Sequence, residues 1–425
     1  MIWLIAVLFI LILLGIPIAF SLGFVSVIGI VLSDPALLIN SARRIFSGIN
    51  NFTLVAVPLF ILAGELMTQG GISKRLINFS KTLVGPLHGG LAMVVILSSM
   101  FFSALTGTAI AAAAAIGGMM IPAMIKEGYD KRFAATIVAT SSTIGPIIPP
   151  SIVLILYGVM ASVSIGDLFI AGIVPGILMG VTLMIYSYFV GKKEGYQASQ
   201  HRATAKEILI GAKDALLALI MPIIIIGGIV SGIFTATESG VIAVVYSLII
   251  GMFVYKEIGI KDLWPIFLQT AKSTATIIFL IGSASLFIWV LSYNSIPNQI
   301  LSFLGPVADN PFLLLLVINI ILLIAGTFID TISAVSIFTP LFLPLIIAAG
   351  IDPIHFGIIL AVNLTIGMVT PPLGVCLFVT SAIAEISVPK MFKYLIPQVG
   401  VLIIVLLIVT YLPSVSLFPV DLFLE

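Results

Sequence analysis

The chain has 425 residues, 61% of them hydrophobic and only 8% charged, with a formal net charge of +1. So little polar surface cannot cover a soluble globule of this size, and near-neutrality leaves no electrostatic footprint for a nucleic acid. The single cysteine, Cys376, excludes an intramolecular disulfide and any cysteine-rich metal site.

Apolar runs close to the length of a bilayer crossing, separated by charge clusters, predict an integral membrane protein built only of helices. The first run, 2–32, has no basic start and no A-x-A cleavage site, so it reads as a retained helix, broken or bent near Gly15–Pro17. Next come a helix over 52–69, a hairpin over 90–125, a helix over 132–161 broken in its middle, and a helix over 168–190. The segment 192–213 is the longest polar stretch and reads as a solvated linker with an interfacial helix. After it follow helices over 215–234, 238–255 and 265–291, a second hairpin over 311–349, a second broken helix over 353–384, and a helix over 389–412.

The hairpins and broken helices repeat. Residues 122–175 align without a gap on residues 344–397, and thirteen of the 54 pairs are identical, among them Gly145 with Gly367, Pro149 with Pro371 and Pro150 with Pro372. Each copy therefore carries a Gly-x-x-x-Pro-Pro break inside an apolar helix, beside a hairpin whose turn falls at SALTGT (Ser103–Thr108) or GTFIDT (Gly326–Thr331). Paired interruptions of this kind in two halves point to the binding site of a secondary transporter.

Charge decides how the copies are oriented. With the hairpins re-entrant, the segments 71–90, 126–132, 191–214, 256–262 and 385–393 share one side and hold 15 of the 18 basic residues, which makes that side the cytoplasm. The base of the first hairpin is basic (Lys81, Lys126, Lys131, Arg132), whereas that of the second is not (Asp309, Asp352, His355), so the units are inverted repeats. Residues 1–190 form the first unit, 191–214 the cytoplasmic linker and 215–425 the second unit. Arg43 and Arg44 fall on the outer side and are expected to dock an acidic partner or to anchor on lipid headgroups.

A Gly-x-x-x-Pro-Pro break removes amide donors and leaves carbonyls facing a gap, where something must satisfy them. Uncharged oxygens, with hydroxyls from Ser141–Ser142–Thr143 and the Asn363–Thr365 cluster, suit a small alkali cation, sodium, better than zinc or magnesium. The half-helix restarting after each break points its positive dipole end at the same gap, which favours an anionic group there. Asp330, at the second hairpin's tip, can cap the following helix, coordinate, or do both; its counterpart one repeat earlier is Thr108. Glu65 and Glu238 read as structural groups near helix ends, and Lys272 as a snorkelling lysine. No Walker A, Rossmann or G-x-S-x-G pattern is present, and the three histidines form no ligand spacing, so the chain does not read as an enzyme.

Four ordered motifs carry a family resemblance: the stretch 101–152 from FFSALTGTA to PIIPPSI, FTATESG at 234–240, FIDTISAVSIFTPLFLP at 328–344, and TIGMVTPPLG at 365–374. Together they resemble the large membrane subunit of tripartite ATP-independent periplasmic (TRAP) transporters, the DctM family, with the sialic-acid branch the most similar. The resemblance implies a sodium-driven importer of organic acids in the bacterial inner membrane with an elevator-type moving domain. It also implies two partners, a small four-helix membrane subunit and a soluble periplasmic binding protein. Carried onto matching positions, one Na⁺ site would use backbone oxygens of Thr106, Gly145, Ile147 and Pro150. The second would use Phe328, Gly367, Val369 and Pro372, near Gly326 and Thr327. Thr108, Asp330 and Thr370 would face substrate, with Ser142 beside the first break. Many relatives carry serines where this chain has Thr106 and Thr108. A stand-alone sodium–carboxylate symporter of related fold is the alternative reading.

Overall fold

The computed structural model describes residues 3–196, 204–296, Gln299 and 310–424. Asp309, His201 and the middle of the expected linker, 197–203, lie outside the described residues. Every regular element among the described residues is helical, and eight helices are long and apolar enough to cross a membrane.

The first run is divided at Gly15–Pro17 into α1 (Trp3–Leu13) and α2 (Ile18–Ser33). Then come α3 (Asn40–Ile49), α4 (Ala56–Gln69) and α5 (Ile72–Val84). The first hairpin is α6 (Gly90–Thr106) with α7 (Ala109–Lys126), and the first broken helix is α8 (Lys131–Ser142) with α9 (Ile152–Ala161). Helices α10 (Ile165–Glu194), α11 (Ala205–Val230), α12 (Ala236–Ile249) and α13 (Ile260–Tyr293) lead to the second hairpin, α14 (Pro311–Gly326) with α15 (Thr331–Ala348). The second broken helix is α16 (Pro353–Gly367) with α17 (Val375–Ala384), followed by α18 (Val388–Tyr411) and α19 (Ser414–Leu424).

Local chemistry sets most of these ends. Asp130 and Asp352, one repeat apart, each accept backbone amides and start α8 and α16. Thr235 and Glu238 form a reciprocal capping box at the start of α12, which is the structural role expected of Glu238. Among the described residues three α-helices were not foreseen: α3, α5 and α19. Helices α3 and α5 lie in stretches too polar to read as crossings, yet both are amphipathic. In α3, Arg44 lies over the Trp289 ring, 5.1 Å from its centroid. The linker also differs: residues 205–214 are the first turns of α11, running unbroken into its apolar part.

The two units interlock. Hairpin arm α7 packs on half-helix α17 of the other unit, and arm α15 packs on half-helix α9. Likewise α8 meets α18 where α16 meets α10. The bases of the two hairpins lie at opposite ends of the molecule. At one end Gly89 N–H donates to Tyr196 O at 3.5 Å, Asp130 N–H donates to Tyr196 Oη at 3.2 Å, and Lys393 approaches Glu194 at 3.9 Å. There Arg132 hydrogen-bonds Asp130 through Nε and the terminal nitrogen, which holds the Asp130 carboxyl below the usual carboxylate range. At the other end Tyr157 Oη donates to Pro353 O at 2.5 Å, and Tyr411 stacks on Phe312 with ring centroids 4.1 Å apart. Helix α18 runs from Lys393 at the first end to Tyr411 at the second, and its 24 residues span about 36 Å, enough to cross a bilayer core. The hairpins therefore enter from opposite ends, as inverted repeats require.

Single cysteines replacing Lys193 and Asp352 in a Cys376→Ser background should react with an impermeant maleimide from opposite faces of the membrane. Labelling of both from one face contradicts this arrangement.

Candidate functional site at the hairpin tips

Both hairpin turns and both breaks come together at one level of the molecule. In the first unit α6 stops at Thr106, Gly107 turns the chain with φ +62°, and α7 starts after Thr108, whose side chain makes no capping bond. A Cβ on Gly107 would sit 2.8 Å from the Pro150 carbonyl oxygen, and one on Gly145 would sit 3.1 Å from the Thr108 oxygen. Only glycine at both positions lets this tip close on its own break. In the second unit the backbones touch at Gly326 and Gly367: a Cβ on Gly367 would lie 2.5 Å from Gly326 Cα. Here the start of α15 is capped, since Asp330 Oδ1 accepts from Ile332 N–H and Ser333 N–H, both at 3.1 Å. Thus the two tips differ in one respect that matters: the second carries its own carboxylate at a helix N-terminus and the first leaves that place open.

The breaks leave carbonyls without donors. Among the described residues no hydrogen bond reaches the backbone oxygens of Gly145, Ile147 and Pro150 in the first unit, or of Thr327, Phe328, Val369 and Pro372 in the second. The Gly367 oxygen is different, accepting from Thr370 N–H at 2.9 Å. The Pro146 carbonyl is satisfied by Ser151 Oγ, which also accepts Leu154 N–H to start α9. The neighbouring hydroxyls donate back to their own helices: Thr106 to Phe102 O at 3.3 Å, Thr327 to Ile324 O at 2.7 Å, Ser142 to Ala139 O at 2.7 Å and Thr370 to Ile366 O at 2.8 Å. A hydroxyl that donates backwards keeps lone pairs free for a cation. Among the described residues no group of three or more His, Cys, Asp or Glu could hold a metal ion.

Between the tips lies a cavity of about 370 Å³. Thr106, Gly107 and Thr108 reach it from the first tip, Asp330 and Thr331 from the second, and Pro146 and Met368 from the two breaks. Opposite the tips its wall is α4 and α13, through Gly64, Glu65, Thr68 and Ser273. The sequence did not assign these wall residues to a site; a spacing of 61, 64, 65 and 68 on one face of α4 was the signal available. Of the expected substrate contacts, Thr108 and Asp330 line the cavity, whereas Ser142 and Thr370 do not. Ser142 is fully buried behind the first break, and Thr370 sits at the second break beside Pro371 and Pro372, which line a different cavity of about 670 Å³ with Phe378, Ser381 and Phe392.

The sequence pattern of the DctM component of tripartite ATP-independent periplasmic transporters matches residues 5–415. The chain belongs to the DctM component family. It is 41% identical over 397 residues to the C4-dicarboxylate TRAP transporter large permease protein DctM of Pseudomonas aeruginosa, covering 93% of each chain. It is 38% identical over 410 residues to the sialic acid TRAP transporter large permease protein SiaM of Vibrio cholerae, covering 96% of each. With the isethionate TRAP transporter permease protein DctMQ of Oleidesulfovibrio alaskensis it shares 41% identity over 95% of this chain, and it spans 64% of that relative's length. These identities do not single out the sialic-acid branch. The Alcanivorax borkumensis YdaH transporter, 16% identical, shares the fold with a TM-score of 0.62 over 89% of this chain and 88% of that one. The protein is thus a multi-pass transporter subunit of the inner membrane and not an enzyme.

Asp330→Asn should retain the cap through its remaining carbonyl oxygen and keep the folded yield, while Asp330→Ala should lose about 1 kcal/mol of stability. Uptake by the Asn variant is expected to fall at least about tenfold, as loss of one charge-assisted contact predicts. Normal uptake by Asp330→Asn would leave Asp330 a cap alone.

Proposed function

We propose that this DctM-family chain is the transport subunit of a sodium-driven, binding-protein-dependent importer of organic acids. The observation that carries the reading is the pair of repeat-related breaks whose carbonyls lack donors and which meet one cavity through Pro146 and Met368. The first sodium ion is held by backbone oxygens of Thr106, Gly145, Ile147 and Pro150. The second is held by those of Thr327, Phe328, Val369 and Pro372 at the Gly326–Gly367 contact. Gly367 itself is the weakest of the expected ligands because its oxygen already accepts Thr370 N–H.

Substrate lies between the tips, with its carboxylate at the open start of α7 beside Thr108 and its remainder toward Asp330. The relatives' names span C4-dicarboxylates, sialic acid and isethionate, all organic acids. The large permeases of this family function with a small membrane subunit and a periplasmic binding protein, and the same two partners are assigned here. Alternating access is assigned to an elevator movement of the hairpins and broken helices, which interlock across the two units, against helices such as α4 and α13 that form the far wall of the cavity.

Two cation sites imply electrogenic uptake of a monoanion. Two sodium ions per monoanion carry one net charge inward, for which 100 mV supplies about 2.3 kcal/mol. A tenfold sodium gradient adds about 1.4 kcal/mol per ion. Uptake in proteoliposomes should therefore rise with external Na⁺ with a Hill coefficient above one and accelerate under an inside-negative potential. A Hill coefficient of one with no response to potential contradicts the two-site reading.

A further inference from the structure

We infer that Glu65 determines specificity, by selecting a monocarboxylate that carries several hydroxyl donors over a dicarboxylate. The inference rests on the cavity between the tips being the substrate site. Its lining contains two carboxylates, Glu65 and Asp330, and neither a lysine, an arginine nor a histidine. Asp330 spends one oxygen on two amides of α15. The Glu65 carboxylate makes no hydrogen bond or ion pair with any described residue, and the residue is only partly buried, on the cavity face of α4.

Its position is fixed by packing. Helix α4 is pressed onto the first tip at Gly64, where a Cβ would come 3.2 Å from Thr106 Cα. The adjacent residue is thereby held at the rim of the cavity, with Ile61 and Thr68 on the same face. An unpaired carboxylate at membrane depth is expensive, and such groups mark a substrate pathway by default. An ionised carboxylate only accepts hydrogen bonds. Hydroxyls on the substrate satisfy it, whereas a second substrate carboxylate at that end meets like charge from Glu65 with no basic side chain to offset it. The substrate's single acid group then takes the α7 end, and its hydroxyl-bearing end faces Glu65, Thr68 and Ser273.

The test separates this from the transport reading by measuring ligand binding and uptake on the same preparation. Purified chain with its small subunit is titrated in sodium buffer with D-gluconate, N-acetylneuraminate and succinate, and half-maximal thermal stabilisation is read for each. Wild type should be half-saturated by a hydroxylated monocarboxylate at a concentration at least about tenfold below succinate, the scale of one hydrogen bond to a charged group. Glu65→Gln should cut that preference about tenfold or more, and Glu65→Asp, which keeps the charge, should restore much of it. Folded yield and Na⁺ dependence should be unchanged in both, which a merely structural role does not predict for the pair. A wild-type preference for succinate, or an unaltered preference in Glu65→Gln, overturns the inference while leaving sodium-dependent binding of organic acids intact. If no acid binds in sodium and none is taken up by proteoliposomes supplied with the periplasmic binding protein, the transport reading itself fails and the inference with it.

Discussion

Backbone that leaves the helix at membrane depth must find partners for its amides and carbonyls, and that constraint organises this molecule. The chain meets it by bringing its two hairpin turns and two helix breaks together, so that each irregular segment is covered by another. Glycine at Gly107, Gly145, Gly326 and Gly367 is what allows the approach, because at each of them a side chain would strike backbone. Ser151 answers one carbonyl, that of Pro146, and Asp330 answers two amides. On the proposed reading, the carbonyls still without donors are those that face cations and substrate.

Much of this was legible because it rests on local rules. Gly and Pro interrupt helices wherever they stand, so the breaks and turns appear in the sequence at their structural positions, Gly107–Thr108 and Thr327–Asp330 included. Asp130 and Asp352 head their helices for the same local reason. An offset that holds without a gap over residues 122–175 ties the two units together, and a bias of basic residues tells which end each hairpin enters. The division of the first 32 residues at Gly15–Pro17 has the same origin.

What was not legible depends on tertiary phase. Ser142 stands in a polar cluster beside the break, but its helical phase buries it behind the first break, where its hydroxyl bonds Ala139 O. Thr370 is likewise next to the right residues in sequence and turned onto Ile366 O. Conversely Glu65 reads as a helix-end group, since nothing in its neighbourhood says that α4 will lie against a tip more than forty residues away. Helices α3 and α5 escaped because a search for apolar runs passes over amphipathic segments lying at a surface. Arg75 in α5 shows the kind of contact that settles such a helix: it lies over the Tyr255 ring, 3.7 Å from its centroid, and 3.5 Å from Glu257.

The two units share a plan and differ in chemistry, and the difference assigns them distinct tasks on the proposed reading. Around the first break every residue from Ser141 to Pro150 but Ile148 is buried, whereas at the second Pro372 and Leu373 are exposed. That exposed stretch borders the cavity lined by Ser381, Ser387 and Phe392, on the basic end of the molecule, which the charge distribution places in the cytoplasm. On that reading a cation at the second break lies beside an open cavity, and one at the first is enclosed by protein. At the tips the asymmetry runs the other way: Asp330 fills the second helix start with a charge of the protein's own, and Thr108 leaves the first for a charge that arrives with the substrate. An exact two-fold would give two identical anion sites with no means of orienting a ligand. Replacing one by a built-in carboxylate leaves a single place for the substrate's acid group and so gives the ligand a direction within the cavity.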